Sequence, residues 1–164
     1  MQNKKIYKVP FLLALALLFA LALCGCGKAA PNGKEVHLSY INTQKTSLVE
    51  EKTYLKAEGT LPQIDEVLTL LATPSSKLEY YAPLSQEVSV ISRSYIAGRL
   101  TVSFSENYKD LDAATEILTR ASIVKSLTQI EGVDQVTFCV KGEPLKDKLN
   151  KEVGAMTASV FVDG

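Results

Sequence analysis

Apolar and polar residues alternate over Arg99–Ser105, with Leu100, Val102 and Phe104 on one side and Thr101 and Ser103 on the other. That period of two belongs to a half-buried strand. From Asp112 the period lengthens. Ala113, Ala114, Ile117, Leu118, Ala121, Val124 and Leu127 fall on one broad helical face, with Glu116, Arg120, Ser122 and Gln129 mostly off it. The spacing predicts a helix from about Asp112 to Glu131. Asp112 is placed to cap its first N–H groups, and Gly132 to stop it in a left-handed conformation. Val133, Val136, Phe138 and Val140 then begin another strand. A helix between two strands lays its apolar face on their sheet.

The preceding residues extend the pattern. Val36–Asn42 and Ser47–Lys56 read as two strands joined through Thr43–Thr46, a hairpin with a loop of ordinary length. A helix starts at Leu61-Pro62, carries Ile64, Val67, Leu68 and Leu71 inward, and ends at Thr73-Pro74. Glu87–Ile96 reads as a strand with Val88, Val90 and Ser92 on one face and Ile91 across from them; Ala97-Gly98 turns tightly into Arg99–Ser105. The predicted fold is therefore α+β: a single domain with a mixed sheet, β-β-α-β-β-α-β order, and both helices packed on the sheet. Residues 143–164 form a C-terminal tail whose Val160-Phe161-Val162 is either a last short strand or a docked end.

The N-terminus belongs to another class. Lys4, Lys5 and Lys8 precede an uninterrupted apolar run from Phe11 to Leu23, short of the ~20 residues that span a bilayer. The run ends in Leu23-Cys24-Gly25-Cys26-Gly27. Gly25-Cys26 resembles a bacterial lipobox, in which a small residue precedes the cysteine that is acylated. Residues 1–25 are then a lipoprotein signal peptide, Cys26 is the palmitate-bearing N-terminus, and residues 26–35, broken by Pro31 and Gly33, are a tether. The expected location is the extracytoplasmic face of the cell membrane, held by lipid. Removing residues 1–25 takes away three lysines and no acid, leaving 15 basic against 18 acidic residues. That balance gives no electrostatic case for nucleic acid.

Candidate chemistry is sparse. Cys24 and Cys26 have a C-x-C spacing, but no matching His/Cys pair follows. Cys139 is the domain's one thiol and His37 its one histidine, and any nucleophilic triad would have to use that histidine. Glu50-Glu51 and Asp65-Glu66 are neighbours that do not converge along a strand and read as solvated pairs. No catalytic residue, metal or cofactor is expected. The candidate partner-binding residues are Tyr80 and Tyr81, as aromatic anchors on a loop, and Arg93 and Arg99, which with Tyr95 flank one edge turn.

These residues resemble the GerMN domain of envelope proteins in sporulating bacteria. VHLSYIN and SLVEE look like its first hairpin, IDEVLTLLATP like its first helix, and GRLTVSFSENY like its glycine-turn strand. IVKSLTQIEGVDQVTFCVKGEP looks like its helix end, Gly-Val turn and last strand, and the likeness extends over about residues 36–164. Two departures, Thr73 before the proline and LEYYAPLSQEV without the usual glycine turn, predict a locally different connection. The resemblance implies a non-enzymatic module supporting sporulation or germination through envelope or peptidoglycan-associated partners, including homo-oligomers. An envelope enzyme acting on cell-wall polymer and a small-molecule-binding lipoprotein are the alternatives.

Overall fold

The computed structural model describes residues 32–161 apart from 76, 78, 86, 87 and 148. The signal segment, Cys26, residues 27–31 and Val162 lie outside the described residues. The elements are β1 (Lys34–Asn42), β2 (Leu48–Leu55), α1 (Thr60–Leu71), β3 (Tyr80–Tyr81), β4 (Val90–Ile96), β5 (Arg99–Phe104), α2 (Ala113–Leu127), β6 (Gln135–Val140) and β7 (Glu143–Pro144). One 3₁₀ turn, Glu106–Asp110, precedes α2, and another, Ala158–Val160, lies in the tail. The α+β class and the predicted order are present, with the two-residue strands β3 and β7 added. The strands form an antiparallel sheet, β2-β1-β3, and a mixed sheet, β4-β5-β6-β7. Its β5 and β6 run parallel, joined through α2. β1 begins at Lys34, inside the stretch expected to be tether. Among the described residues, no helix is long and apolar enough to cross a membrane.

Local chemistry explains the turns. Asn42 Oδ1 accepts from the N–H groups of Thr46 (2.9 Å) and Ser47 (3.3 Å), closing the β1–β2 loop. The β4–β5 hairpin has two turn residues, Ala97 (φ 47°) and Gly98 (φ 83°), both in the left-handed region that matches strand twist. A Cβ on Gly98 would lie 2.1 Å from Asp134 Oδ2, so a larger residue would have to push that carboxylate aside as well as adopt the left-handed backbone. Asp112 caps α2, accepting from Thr115 N–H at 2.9 Å. That helix ends at Leu127, short of the expected Glu131, and Gly132 (φ 88°) closes the turn behind it.

Helix α1 buries Ile64, Val67, Leu68 and Leu71, the four residues its spacing selects. The inner face of the mixed sheet contributes Leu100, Val102, Phe104, Val136, Phe138 and Val140 to the same core as Ile123, Val124 and Leu127 of α2. Each large side chain so buried contributes about 1.5–3 kcal/mol. Phe104 stacks on Tyr108 at 4.4 Å and on Phe138 at 5.7 Å. The tail docks: Val136 and Met156 exchange two backbone bonds of 2.8 Å, and Phe161 packs against the core.

Two expectations fail for identifiable reasons. On α2, Ile117 is 49 % exposed while Thr119, Ser122 and Ser126 are buried. The helix lies along the edge of β1, and its hydroxyl side chains, with the amide of Gln129 just beyond its end, bond that strand's backbone. Ser122 Oγ donates to the Ser39 carbonyl, and Ser39 N–H donates to Ser126 Oγ at 3.0 Å. His37 N–H donates to Gln129 Oε1 at 2.8 Å, and Gln129 Nε2 donates back to the His37 carbonyl at 2.6 Å. Beyond these, Ile41 and Asn42 on the same edge pair with β3. The second correction concerns β4, which begins at Val90. A bulge between Val90 and Ser92 shifts the register, so Ser92 joins the outer face and Arg93 the inner one.

Candidate functional site

The four candidate binding residues occupy three places. Tyr80 and Tyr81 form β3 rather than a loop. Tyr80 is half-buried, 6.4 Å from the Tyr40 ring, with Lys77 Nζ 5.3 Å from its centroid. Tyr81 is 50 % exposed, with Lys45 Nζ 5.7 Å from its ring. Tyr81 is thus an available anchor, while Tyr80 is packed on its own sheet.

Arg93 and Arg99 are not brought together. Arg93 lies opposite buried Val102 on the inner face, whereas Arg99 pairs with Ile96 on the outer one. Arg93 reaches α1, where Nε and Nη2 donate to the two Asp65 oxygens at 2.5 Å. The guanidinium holds the Asp65 carboxyl below its ordinary range. Tyr95, on the same face as Arg93, donates its hydroxyl to the Gly132 carbonyl at 2.8 Å. Arg99 borders a shallow outer hollow with Ser94, Ile96 and Thr101.

The other titratable candidates are also engaged. His37 is exposed between Glu35 Oε1 at 3.7 Å and Glu50 Oε2 at 3.6 Å. The two acidic pairs are not simply solvated, which corrects the sequence reading. Glu51 accepts from Ser75 Oγ at 2.7 Å, and Glu66 accepts from the N–H groups of Lys56 and Ala57. Burial raises the Cys139 thiol, which disfavours the thiolate. Among the described residues, no group of three or more His, Cys, Asp or Glu could hold a metal ion.

Sequence reasoning missed two structural features. A cavity of about 400 Å³ lies between the start of α2 and Leu145, Lys146, Asp147 and Leu149. On its wall, buried Tyr108 donates to Glu116 Oε1 at 2.9 Å, and Arg120 Nη2 donates to Glu116 Oε2 at 2.7 Å, with Nε 2.6 Å from Oε1 but not aligned to donate to it. The i, i+4 spacing of Glu116 and Arg120 was a readable signal, but nothing local marks Tyr108 as their partner. The other is a groove of about 550 Å³ between α1 and β4, crossed by the Asp65–Arg93 pair. Both combine apolar walls with an ion pair, Glu116–Arg120 in one and Asp65–Arg93 in the other.

The model of the Germane family, described as sporulation and spore germination, matches residues 33–146. The fold is similar to the first GerMN domain of the sporulation protein GerM from Bacillus subtilis, with TM-score 0.58 and 18% identity over 74% of this chain and 94% of that one. It also matches the tandem GerMN structure of that protein, with TM-score 0.57 and 18% identity, across 74% of this chain and 44% of the tandem. A protein from Clostridium perfringens, provisionally described as a lipoprotein, is similar at TM-score 0.51 and 16% identity, over 80% of this chain and 94% of that one. No curated protein matches the sequence.

Proposed function

The chain belongs to the Germane family of sporulation and spore germination, and from that premise we propose that it is a lipid-anchored, extracytoplasmic module that works by binding other envelope components. The observation that carries this reading is the extent of the match. Residues 33–146 take in every strand of both sheets and both helices. Anchoring through Cys26 is supported by the basic and apolar segment ahead of Gly25-Cys26 and by the likeness to the Clostridium perfringens protein. The partner is an envelope or peptidoglycan-associated protein, with self-association as one form of assembly. Exposed Tyr81 serves as an anchor on this reading.

The test is acyl labelling of the full chain in a sporulating bacterium. Label is expected on the parent and on Cys24→Ala and lost from Cys26→Ala; label persisting in Cys26→Ala would overturn the assignment. In a deletion strain, His37→Ala is expected to complement fully. Loss of complementation in a folded, anchored His37→Ala protein would point to catalysis instead.

A further inference from the structure

We propose that the end of the domain where the tether enters lies on the lipid bilayer, with the β4–β5 hairpin tip and the first turn of α1 dipping apolar side chains into its surface. The inference rests on the reading of Cys26 as the lipid-bearing residue, and it names a second contact with the same membrane, made by the folded domain.

Four parts of the chain meet at that end. Gly33 leads into β1 hard against the end of β2, where an added Cβ would lie 2.1 Å from the Leu55 carbonyl oxygen. Asn32, Gly33 and Lys34 share a hollow with residues 56–58 and with Gln63 of α1. At the start of α1, Thr60 donates its hydroxyl to the Glu131 carbonyl, in the turn after α2, at 3.1 Å. The β4–β5 hairpin joins this turn through Tyr95, which bonds Gly132, and through the Gly98 carbonyl, which accepts from Asp134 N–H at 2.8 Å. Two large apolar residues are exposed here. Leu61 in α1 is 42 % exposed, and Ile96, at the hairpin tip, is 73 % exposed.

Lengths decide which end faces the bilayer. Lys34 follows Cys26 by eight residues. Fully extended, such a stretch reaches about 26–29 Å, but a linker of that length averages only about 14–17 Å end to end. β1 alone, with nine residues, is about 27 Å long. Its far end, where Ile41 pairs with Tyr81, would reach the bilayer only with the tether pulled almost straight. The Lys34 end reaches it at the tether's ordinary extension.

A tether also lowers how much contact is needed. Two apolar side chains hold a free protein to a membrane only weakly. Once the lipid is inserted their contact is intramolecular, at an effective concentration on the order of millimolar, and a weak contact then suffices. Charge does not choose the surface, because Lys34, Lys56 and Arg99 at this end are set against Glu58, Glu131 and Asp134. Arg99 stands opposite Ile96 in the hairpin. An arginine so placed keeps its guanidinium among the headgroups while its stem lies along the apolar neighbour. The partner is therefore a bilayer surface met through apolar contact, whether neutral or anionic.

The chain has no tryptophan, so a single one placed at the tip reports on its own surroundings. The acylated chain, purified from membranes, is reconstituted into phosphatidylcholine vesicles with plain or brominated acyl chains. Emission from Ile96→Trp should be quenched severalfold by the brominated lipid, as for a side chain about 5–10 Å into the interface. Tyr81→Trp, the same probe at the opposite end, should be unaffected. Leu61→Trp should be quenched, and should lose that quenching when Ile96→Asp is added, at an unchanged melting temperature. Replacing part of the phosphatidylcholine by phosphatidylglycerol should alter none of this. An unquenched Ile96→Trp would overturn the proposal and leave the tip to a protein partner. Equal quenching of Tyr81→Trp and Ile96→Trp, Leu61→Trp quenching that survives Ile96→Asp, or quenching seen only with phosphatidylglycerol would each overturn it too. If these fail while acyl label sits on Cys26 and the vesicles carry the chain, the anchored-module reading stands and only the bilayer contact falls. Absence of label from Cys26 overturns both.

Discussion

Helix α1 lies on a sheet face and α2 along a strand edge, and the two bury different chemistry for that reason. α1 covers apolar side chains, so its buried stripe is Ile64, Val67, Leu68 and Leu71. α2 covers apolar side chains with Ala121, Val124 and Leu127, but beside them it meets the N–H and C=O groups of Ser39, and Gln129 just past its end meets those of His37. A leucine at Ser126 would strand a backbone donor, so a serine sits there. Polarity along a helix therefore marks solvent only where the helix faces side chains. Where it faces a strand's backbone, polarity marks contact.

The most damaging way to break this contrast is Ala121→Asp, which puts an unpaired charge where α2 meets the apolar core. The expected cost is several kcal/mol, on the order of the whole stability of a domain, and a thermal melt of the full chain in detergent would read it. A melting temperature close to the parent's would refute the packing of that face. A sharper test is Ser126→Val. On α1 the buried positions face side chains, so exchanging one apolar residue for another of similar volume strands no backbone group. On α2, Ser126→Val leaves the Ser39 N–H unbonded and should cost about 1–3 kcal/mol. Denaturant titration decides, and a stabilised Ser126→Val protein would mean the edge bond is dispensable.

The smallest expected effect lies at the polar link from α1 to β4. Asp65 is more than half exposed, so its pair with Arg93 is screened and contributes under about 1 kcal/mol. The folded Asp65 carboxyl is held below its unfolded value by Arg93. Its contribution is therefore complete above the unfolded value and lost as pH falls through the folded one. The melting temperature of Asp65→Asn should lie slightly below the parent's at neutral pH, and the gap should close below about pH 4. A gap that widens in acid would show that another group carries the pH dependence.

These contrasts also explain what could be read from the chain. The four inward residues of α1, the Ala97-Gly98 turn and the Asp112 cap rest on neighbours within a few positions, and periodicity and turn chemistry reveal such things. Ser122, Ser126 and Gln129 look like a solvent face because their partner is a strand more than eighty residues upstream. Ser92 changed faces because a single bulge residue, Ile91, reverses the alternation, and nothing local in Val90-Ile91-Ser92 announces it. Of the candidate binding residues, Tyr81 kept its exposure. Arg93 could not be recognised as one half of an ion pair without knowing that α1 passes β4.

The bonds from α2 to β1 have a consequence for the order in which the chain is made. Ser39 and Ser122 are 83 positions apart, and His37 and Gln129 are 92 apart. Synthesis delivers β1 first, so its inner edge must wait for most of the domain before those groups find their protein partners. Closing such distant contacts also slows folding, because the loop entropy is lost before the bonds form. The interval leaves the first hairpin with an uncovered edge, the form in which a nascent strand is most easily captured by a chaperone or by another chain.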